Sequence, residues 1–190
     1  MRSFIRFLSL ASPLILLAGC IPSLQPFYTD PDVVFEEKLL GDWSGENEKE
    51  SWTFSKADAA KVYSVKYVDQ DGKEGPFVAH LFKLDDRMYL DFFPDDPELK
   101  QNSFYAIHLL PAHTLMRVNL DGDTLKMAVM NGDAIKKMIE TDPAAIRHEK
   151  LDNTSVLSAS TAELQAWIRK EGDKLFSDDP MELKRKAAKE

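Results

Sequence analysis

Alternation of apolar and polar positions dominates the middle of the chain. Between residues 41 and 130, short runs with an apolar residue at every second position are separated by turn signals, of which Asp71-Gly72 and Asp121-Gly122 are the clearest. A period of two is typical of strands with one buried and one solvated face. We therefore predict strands near residues 41–46, 50–55, 61–69, 75–84, 87–93, 103–110, 113–120 and 123–130.

Two of these segments, 77–84 and 103–110, are apolar on both faces, so another element must cover their outer side. The best candidate is a helix after Ser160. Ser160 and Glu163 form a capping-box pattern that is typical of a helix start. The apolar positions that follow at helical spacing are Leu164, Trp167, Ile168 and Leu175.

The rest of the C-terminal third completes the fold prediction. We expect a short helix near 133–141, a closing strand within 146–158 and a charged helical tail at 181–190. The predicted fold is mainly β. It is an up-and-down antiparallel barrel of about eight strands, with a short helix before the closing strand and a C-terminal helix packed outside.

The N-terminus has the pattern of an export signal. Arg2 and Arg6 precede a short apolar run that is interrupted by Pro13 and is too short to span a bilayer. Leu17-Ala18-Gly19-Cys20 resembles the lipobox of bacterial lipoproteins, which implies cleavage between Gly19 and Cys20 and a diacylglycerol on the Cys20 thiol. An ordinary signal peptide that contains a cysteine is the alternative. Cys20 is the only cysteine, so it has no intramolecular disulfide partner.

The lipobox resemblance implies a location. Stable anchoring takes more than one acyl chain, and the resemblance implies two or three on Cys20. The next residue is Ile21 rather than aspartate, a pattern that resembles lipoproteins of the Gram-negative outer membrane. We expect a lipid-anchored protein of the cell envelope, on the periplasmic side of the outer membrane in preference to the inner membrane.

The predicted organisation has four parts. Residues 1–19 are the signal peptide, 20–40 the lipidated N-terminus and an extended tether, 41–158 the barrel, and 159–190 the C-terminal helix and tail. The full chain carries a net charge of −8, and cleavage removes only Arg2 and Arg6, so the mature chain is more acidic still. This charge disfavours nucleic acid as a partner.

Two further resemblances concern the first strands. The stretch from Phe35 to Trp43, Phe-Glu-Glu-Lys-Leu-Leu-Gly-Asp-Trp, resembles the entry of lipocalin-like (calycin) barrels, where a helical turn precedes Gly-x-Trp. Leu39-Leu40-Gly41-Asp42-Trp43 and Glu50-Ser51-Trp52-Thr53-Phe54 are also similar to an uncharacterised bacterial lipoprotein family with no known activity. In calycins an arginine near the barrel's end commonly packs on the Gly-x-Trp indole, and by position we expect Arg147 to do so on Trp43.

The sequence offers no catalytic motif. It contains no phosphate-binding glycine loop, no Gly-x-Ser-x-Gly and no His-Glu-x-x-His. Its four histidines, His80, His108, His113 and His148, have no spacing typical of metal ligands. We therefore expect neither an enzyme nor a cofactor.

The predicted interior suggests a binding function instead. The residues that we expect to line a ligand space are Tyr63, Tyr67, His80, Met88, Phe92, Met116 and Met127. Methionine is adaptable and suits an irregular apolar pocket. We expect a module that binds a small apolar or amphipathic ligand; the alternative is a tethered protein-interaction or envelope-assembly accessory protein with a filled barrel. Acidic loops at 46–49, 69–74, 94–102 and 121–123 would form the mouth and favour amphipaths with a cationic head.

Overall fold

A computed structural model describes residues 21–46, 48–95, 102–106, 108–152 and 154–187. Within these ranges the chain forms ten strands and three α-helices. In order they are β1 (Gly41–Ser44), β2 (Ser51–Lys56), β3 (Tyr63–Val68), β4 (Glu74–Leu84), β5 (Arg87–Pro94), α1 (Ser103–Ala106), β6 (Thr114–Asp121), β7 (Thr124–Val129), α2 (Gly132–Thr141), β8 (His148–Leu151), β9 (Thr154–Leu157), α3 (Thr161–Glu171) and β10 (Met181–Arg185). The predicted export signal, with Gly19 and Cys20, lies outside the described residues.

Eight of the strands close into one antiparallel barrel. Strands β1 to β7 pair in chain order, and β10 completes the ring between β7 and β1. Every neighbouring pair is antiparallel. The prediction of a mainly β, up-and-down, lipocalin-like barrel is therefore confirmed.

The strand that closes the barrel is not the one expected. Residues 146–158 form a separate hairpin of β8 and β9 outside the ring, and the tail that we predicted as helical contains the closing strand β10. Leu183 is fully buried and pairs with Leu125, whereas Glu182 and Lys184 on either side are exposed. This alternation over five residues is a strand pattern that the surrounding charges conceal. The boundary of the barrel at residue 158 is accordingly wrong.

The segment 103–110, predicted as a strand, is also different. It begins with the single-turn helix α1, and β5 pairs directly with β6. Among the described strands of the closed ring, each already has two partners, so none is left for this segment. Its apolar residues Leu109 and Leu110 are exposed.

Inward-pointing residues from all eight barrel strands form one apolar cluster, which is the barrel's interior. Its buried strand members are Trp43, Trp52, Phe54, Tyr63, Val65, Ala79, Leu81, Leu90, Phe92, Val118, Leu125, Met127 and Leu183. Leu39, from a 3-10 turn at Glu37–Leu39, joins the same cluster. The turn therefore packs against one end of the barrel.

A second apolar cluster covers the outer face of the barrel. Trp167 and Ile168 of α3 belong to it, together with Phe82 and Tyr89 of the neighbouring strands β4 and β5. The predicted capping box is present, with the Ser160 hydroxyl accepting from the Glu163 amide. The prediction that the C-terminal helix packs outside the barrel and covers β4 is confirmed.

The N-terminal segment is not a free tether. Ile21, Ser23 and Phe27 are buried against the outer face, and Ser23 exchanges two backbone hydrogen bonds with His113. The Phe27 amide donates to Asp91 Oδ2 at 2.8 Å. The apolar residues of this segment add to the outer core, which is why it packs although it lacks regular structure.

Candidate ligand cavity at one end of the barrel

The loops define two ends of the barrel. One end, the turn end, carries the short connections 57–62, 85–86 and 122–123 and the 3-10 turn at Glu37–Leu39. The opposite end, the loop end, carries the connections 45–50, 69–73 and 95–113. In an up-and-down barrel alternate connections lie at the same end.

A cavity of about 710 Å³ lies at the turn end. Its volume is within the range of roughly 300–1,000 Å³ that is usual for small-molecule sites. The residues that line it are Glu36, Lys38, Leu39, Leu81, Asp86, Arg87, Met88, Arg117, Val118, Asn119, Leu120, Gly122, Leu125, Lys126, Ala128, Asp173 and Pro180.

The cavity has two halves of different chemistry. Strand alternation places Leu81, Met88, Val118, Leu120 and Leu125 on the inner face of the barrel, where they belong to the interior cluster. Their neighbours Arg87, Arg117 and Lys126 therefore point to the outer face. Because the cavity is lined by residues from both faces, it extends over the rim, from an apolar interior to a charged exterior.

Two arginines of the outer half share one carboxylate. Arg87 Nη1 and Nη2 donate to the two oxygens of Asp173, at 2.6 and 3.1 Å. Arg117 also donates to Asp173, and its guanidinium lies 5.3 Å from the centre of the Phe176 ring. Arg87 lies 86 residues and Arg117 lies 56 residues before Asp173 in the sequence. Nothing in the sequence therefore indicates that the three side chains meet.

The charge balance around the cavity differs from that of the whole chain. Its lining contains four cationic side chains, Lys38, Arg87, Arg117 and Lys126, and three acidic ones, Glu36, Asp86 and Asp173. The complete chain has 32 acidic and 24 basic residues. The expected acidic mouth is therefore wrong for this cavity. The predicted loops 46–49 and 69–74 lie at the loop end, whereas 121–123, expected on the same rim, lies at the turn end, where Gly122 lines the cavity.

Of the seven residues proposed to line a ligand space, only Met88 lines this cavity. Five others, Tyr63, Tyr67, Phe92, Met116 and Met127, belong to the interior cluster or pack against it, but not to the cavity lining. The alternation that places them inside the barrel could not indicate which part of the interior is open.

The interior near the loop end is filled by aromatic rings. Trp52 lies 4.3 Å from Tyr67 and 5.5 Å from Phe92 between ring centres. The Tyr67 hydroxyl donates to Glu50 at 2.9 Å, and burial is the main cause that raises the Tyr67 pKa above its usual value. Burial also raises the pKa of Tyr63, whose hydroxyl donates to the Glu36 carbonyl, to about 12. These tyrosines are neutral packing residues at physiological pH.

His80 lies outside the barrel, so its proposed place in the interior is wrong. Its neighbours in β4, Ala79 and Leu81, point inward, whereas the His80 ring stacks on Tyr28 at 4.3 Å. The Tyr28 hydroxyl lies 3.2 Å from His80 Nε2. Burial lowers the His80 pKa, which favours the neutral ring.

A second histidine nearby holds a buried acid. Asp91 is 1 % exposed, and its Oδ1 lies 2.7 Å from His113 Nδ1 while Oδ2 accepts from the Phe27 amide. Asp91 thus joins β5 both to the segment before β6 and to the N-terminal segment. Its two partners satisfy the buried carboxylate, which would otherwise be costly to bury.

The arginine that packs on the Gly-x-Trp indole is Arg185, and the expectation of Arg147 is wrong. The Arg185 guanidinium lies 4.2 Å from the centre of a Trp43 ring and donates to the carbonyls of Leu40, at 2.7 Å, and Lys38. Gly41 has a φ of +120°, and a Cβ there would lie 2.9 Å from Arg185 Nη1. The positive φ favours glycine at this position, and a Cβ would displace the Arg185 guanidinium.

In the described part of the chain, no group of three or more His, Cys, Asp or Glu side chains is placed to hold a metal ion. No helix among the described residues is long and apolar enough to cross a membrane.

No protein-family model, curated protein or solved structure matches the chain. Fold and site together define a lipocalin-like eight-stranded barrel with a cavity at its turn end.

Proposed function

We propose that the protein is a membrane-anchored lipoprotein of the cell envelope whose barrel binds a small amphipathic ligand. The cavity at the turn end carries this proposal, because its inner half is apolar and its outer half is charged. An eight-stranded barrel has room for one small ligand when its side chains do not fill it. An apolar chain or ring would occupy the space beside Met88 and Leu120, and a polar head would lie at the rim.

The charges at the rim favour an anionic head. Arg87 and Arg117 together use one carboxylate, that of Asp173, and so retain positive charge and unused N–H donors. Planar guanidinium groups suit carboxylates and phosphates, which they bind through paired hydrogen bonds. This preference is opposite to the one expected from the acidic loops.

Filling the inner half tests the site. Met88→Trp places a larger ring in the open space, so we expect it to abolish saturable binding of the anionic apolar probe anilinonaphthalene sulfonate with little loss of stability. Met127 is fully buried away from the cavity, and Met127→Trp should destabilise the protein by about 1–3 kcal/mol through overpacking. Probe titrations and urea unfolding measure the two effects.

Met138→Trp is the matched control, since Met138 packs on the outer cluster and its exchange should leave probe binding unchanged.

A second experiment tests the head group. Arg117→Gln should weaken the binding of an anionic probe more than the binding of a neutral probe. Arg147 does not line the cavity, so Arg147→Gln should not have this effect. Salt should reduce this difference. If the wild-type protein shows no saturable binding, the proposal is wrong and a filled interaction module takes its place.

A further inference from the structure

Four exposed large apolar side chains lie on two segments that meet at Ser23. In the ranges that the structure describes, five such residues in all are exposed, with Leu110 at 77 % and Leu151 at 60 % the most open. The five are Leu24, Tyr105, Leu109, Leu110 and Leu151. Single exposed leucines are ordinary, but a shared location indicates a contact surface.

Backbone hydrogen bonds join the three segments that carry these residues. Ser23 exchanges two backbone bonds with His113, which follows Leu110 by three residues. On its other side, the Leu157 amide donates to Pro22, and the Leu24 amide donates to Leu157 at the base of the β8–β9 hairpin. Leu151 lies at the opposite end of this hairpin, paired with Thr154. Three residues span at most about 11 Å of chain, which limits how far Leu110 lies from the Ser23–His113 pair. Tyr105 belongs to α1, and the His108 and Leu109 amides donate to the carbonyls of Tyr105 and Ala106 in the turn that follows it.

The same segment leads directly to the proposed lipid anchor. Ile21 is 6 % exposed and packs in the outer cluster, and Cys20 precedes it by one peptide unit, about 3.8 Å between Cα atoms. Leu24 is the fourth residue after Cys20, which is at most about 14 Å of chain. Because Cys20 is bonded directly to a buried residue, no linker separates the lipid anchor from the domain. The face around residues 21–24 therefore has to lie against the bilayer.

We propose that Leu24, Tyr105, Leu109 and Leu110 form a lipid-docking face that inserts into the surface of the bilayer holding Cys20. Leucine and aromatic side chains are the residues that enter the interface between lipid headgroups and acyl chains. The proposal rests on the lipid anchor of the proposed function. Loop 95–113 lies at the loop end, so docking directs the cavity at the turn end away from the membrane and into the aqueous compartment.

The test uses the full-length lipidated protein in vesicles of zwitterionic phosphatidylcholine. Because lipid consumes the Cys20 thiol, Leu110→Cys introduces a single free thiol for the environment-sensitive fluorophore nitrobenzoxadiazole. We expect its emission to shift to the blue, and brominated lipids to quench it. Ala59→Cys, exposed in the 57–62 connection at the turn end, is the control and should report water. High salt should not change the result, because apolar insertion is not electrostatic.

A second pair of variants tests the face as a unit. In a protein labelled with the fluorophore at Leu24→Cys, the double substitution Leu109→Gln and Leu110→Gln should reduce the quenching by brominated lipids. Thermal unfolding should stay unchanged, because both leucines are exposed. Vesicle flotation and intact mass report the anchor separately. An acylated protein that floats with vesicles while its residue 110 fluorophore stays aqueous overturns docking but leaves the anchor intact. A wild-type chain without acyl groups overturns both, and probe binding in the cavity is unaffected by either result.

Discussion

Arg185 shows how much a single side chain can hold together. It covers Trp43, bonds to the carbonyls of Leu40 and Lys38, and pairs with Asp123 at 2.9 Å. It thereby connects the 3-10 turn, β1 and the β6–β7 connection to the last barrel strand. The Trp43 indole donates to the Leu39 carbonyl at 2.9 Å, which adds to the same junction.

Arg185→Ala should destabilise the protein by about 2–4 kcal/mol, because it removes a cation–π contact and charged hydrogen bonds to backbone carbonyls. Urea unfolding measures the change. The matched control is Arg147→Ala, since Arg147 makes an exposed ion pair with Glu163 at 3.3 Å; there we expect less than about 1 kcal/mol. Equal effects of the two substitutions would contradict the role of Arg185.

His80 gives the protein a predictable acid dependence. Burial, the largest cause, holds its folded pKa below the usual value of 6.5. The unfolded chain therefore binds the proton more readily, and the stabilising contribution is complete above about pH 6.5 and is lost as the pH falls through the folded pKa.

His80→Phe should thus make the free energy of unfolding less dependent on pH below about 6.5, while the stacking on Tyr28 is kept. Urea unfolding at several pH values between 5 and 8 measures the slope for both proteins. An unchanged slope would show that His80 is not held neutral by its surroundings.

At the scale of elements, α3 and β10 illustrate opposite outcomes. The helix was predictable because its cap and its apolar stripe are local, within eleven residues. Strand β10 was not, because five residues among charges have no strong pattern of their own and acquire one only by pairing with β7 and β1. The segment 103–110 failed for the reverse reason: its apolar residues suggested a strand, but no neighbouring strand is free to pair with it.

Trp167 tests the packing of α3. Its side chain is 3 % exposed in the outer cluster, and Trp167→Ala should cost about 3–5 kcal/mol through the cavity left behind. Its indole N–H has no hydrogen-bond partner among the described residues, so Trp167→Phe loses no hydrogen bond and should cost clearly less. Thermal and urea unfolding of the two variants provide the comparison, and equal losses would mean that the ring does not pack as described.

At the scale of the whole molecule, closure of the barrel depends on the last strand. A chain that ends at Pro180 lacks β10, which leaves β1 and β7 as unpaired edges and removes the buried Leu183. We expect this truncation to prevent cooperative thermal unfolding and to cause aggregation. A chain that ends at Ala187 retains β10 and should melt like the wild type. A cooperative, soluble product from the shorter chain would contradict the role of β10 as the closing strand.

The sequence by itself determined the features that depend on neighbours along the chain. These are the two-residue period of most strands, the division of most strands into inner and outer faces, the glycine turns and the cap of α3. Tertiary structure decided which segment closes the ring, that Arg185 and not Arg147 covers Trp43, and that Arg87 and Arg117 meet at Asp173. It also decided where the interior stays open and that the N-terminal segment packs on the barrel. Local periodicity specifies which face of a strand is buried, but pairing between distant segments specifies its neighbours, and the cavity exists only where those neighbours leave space.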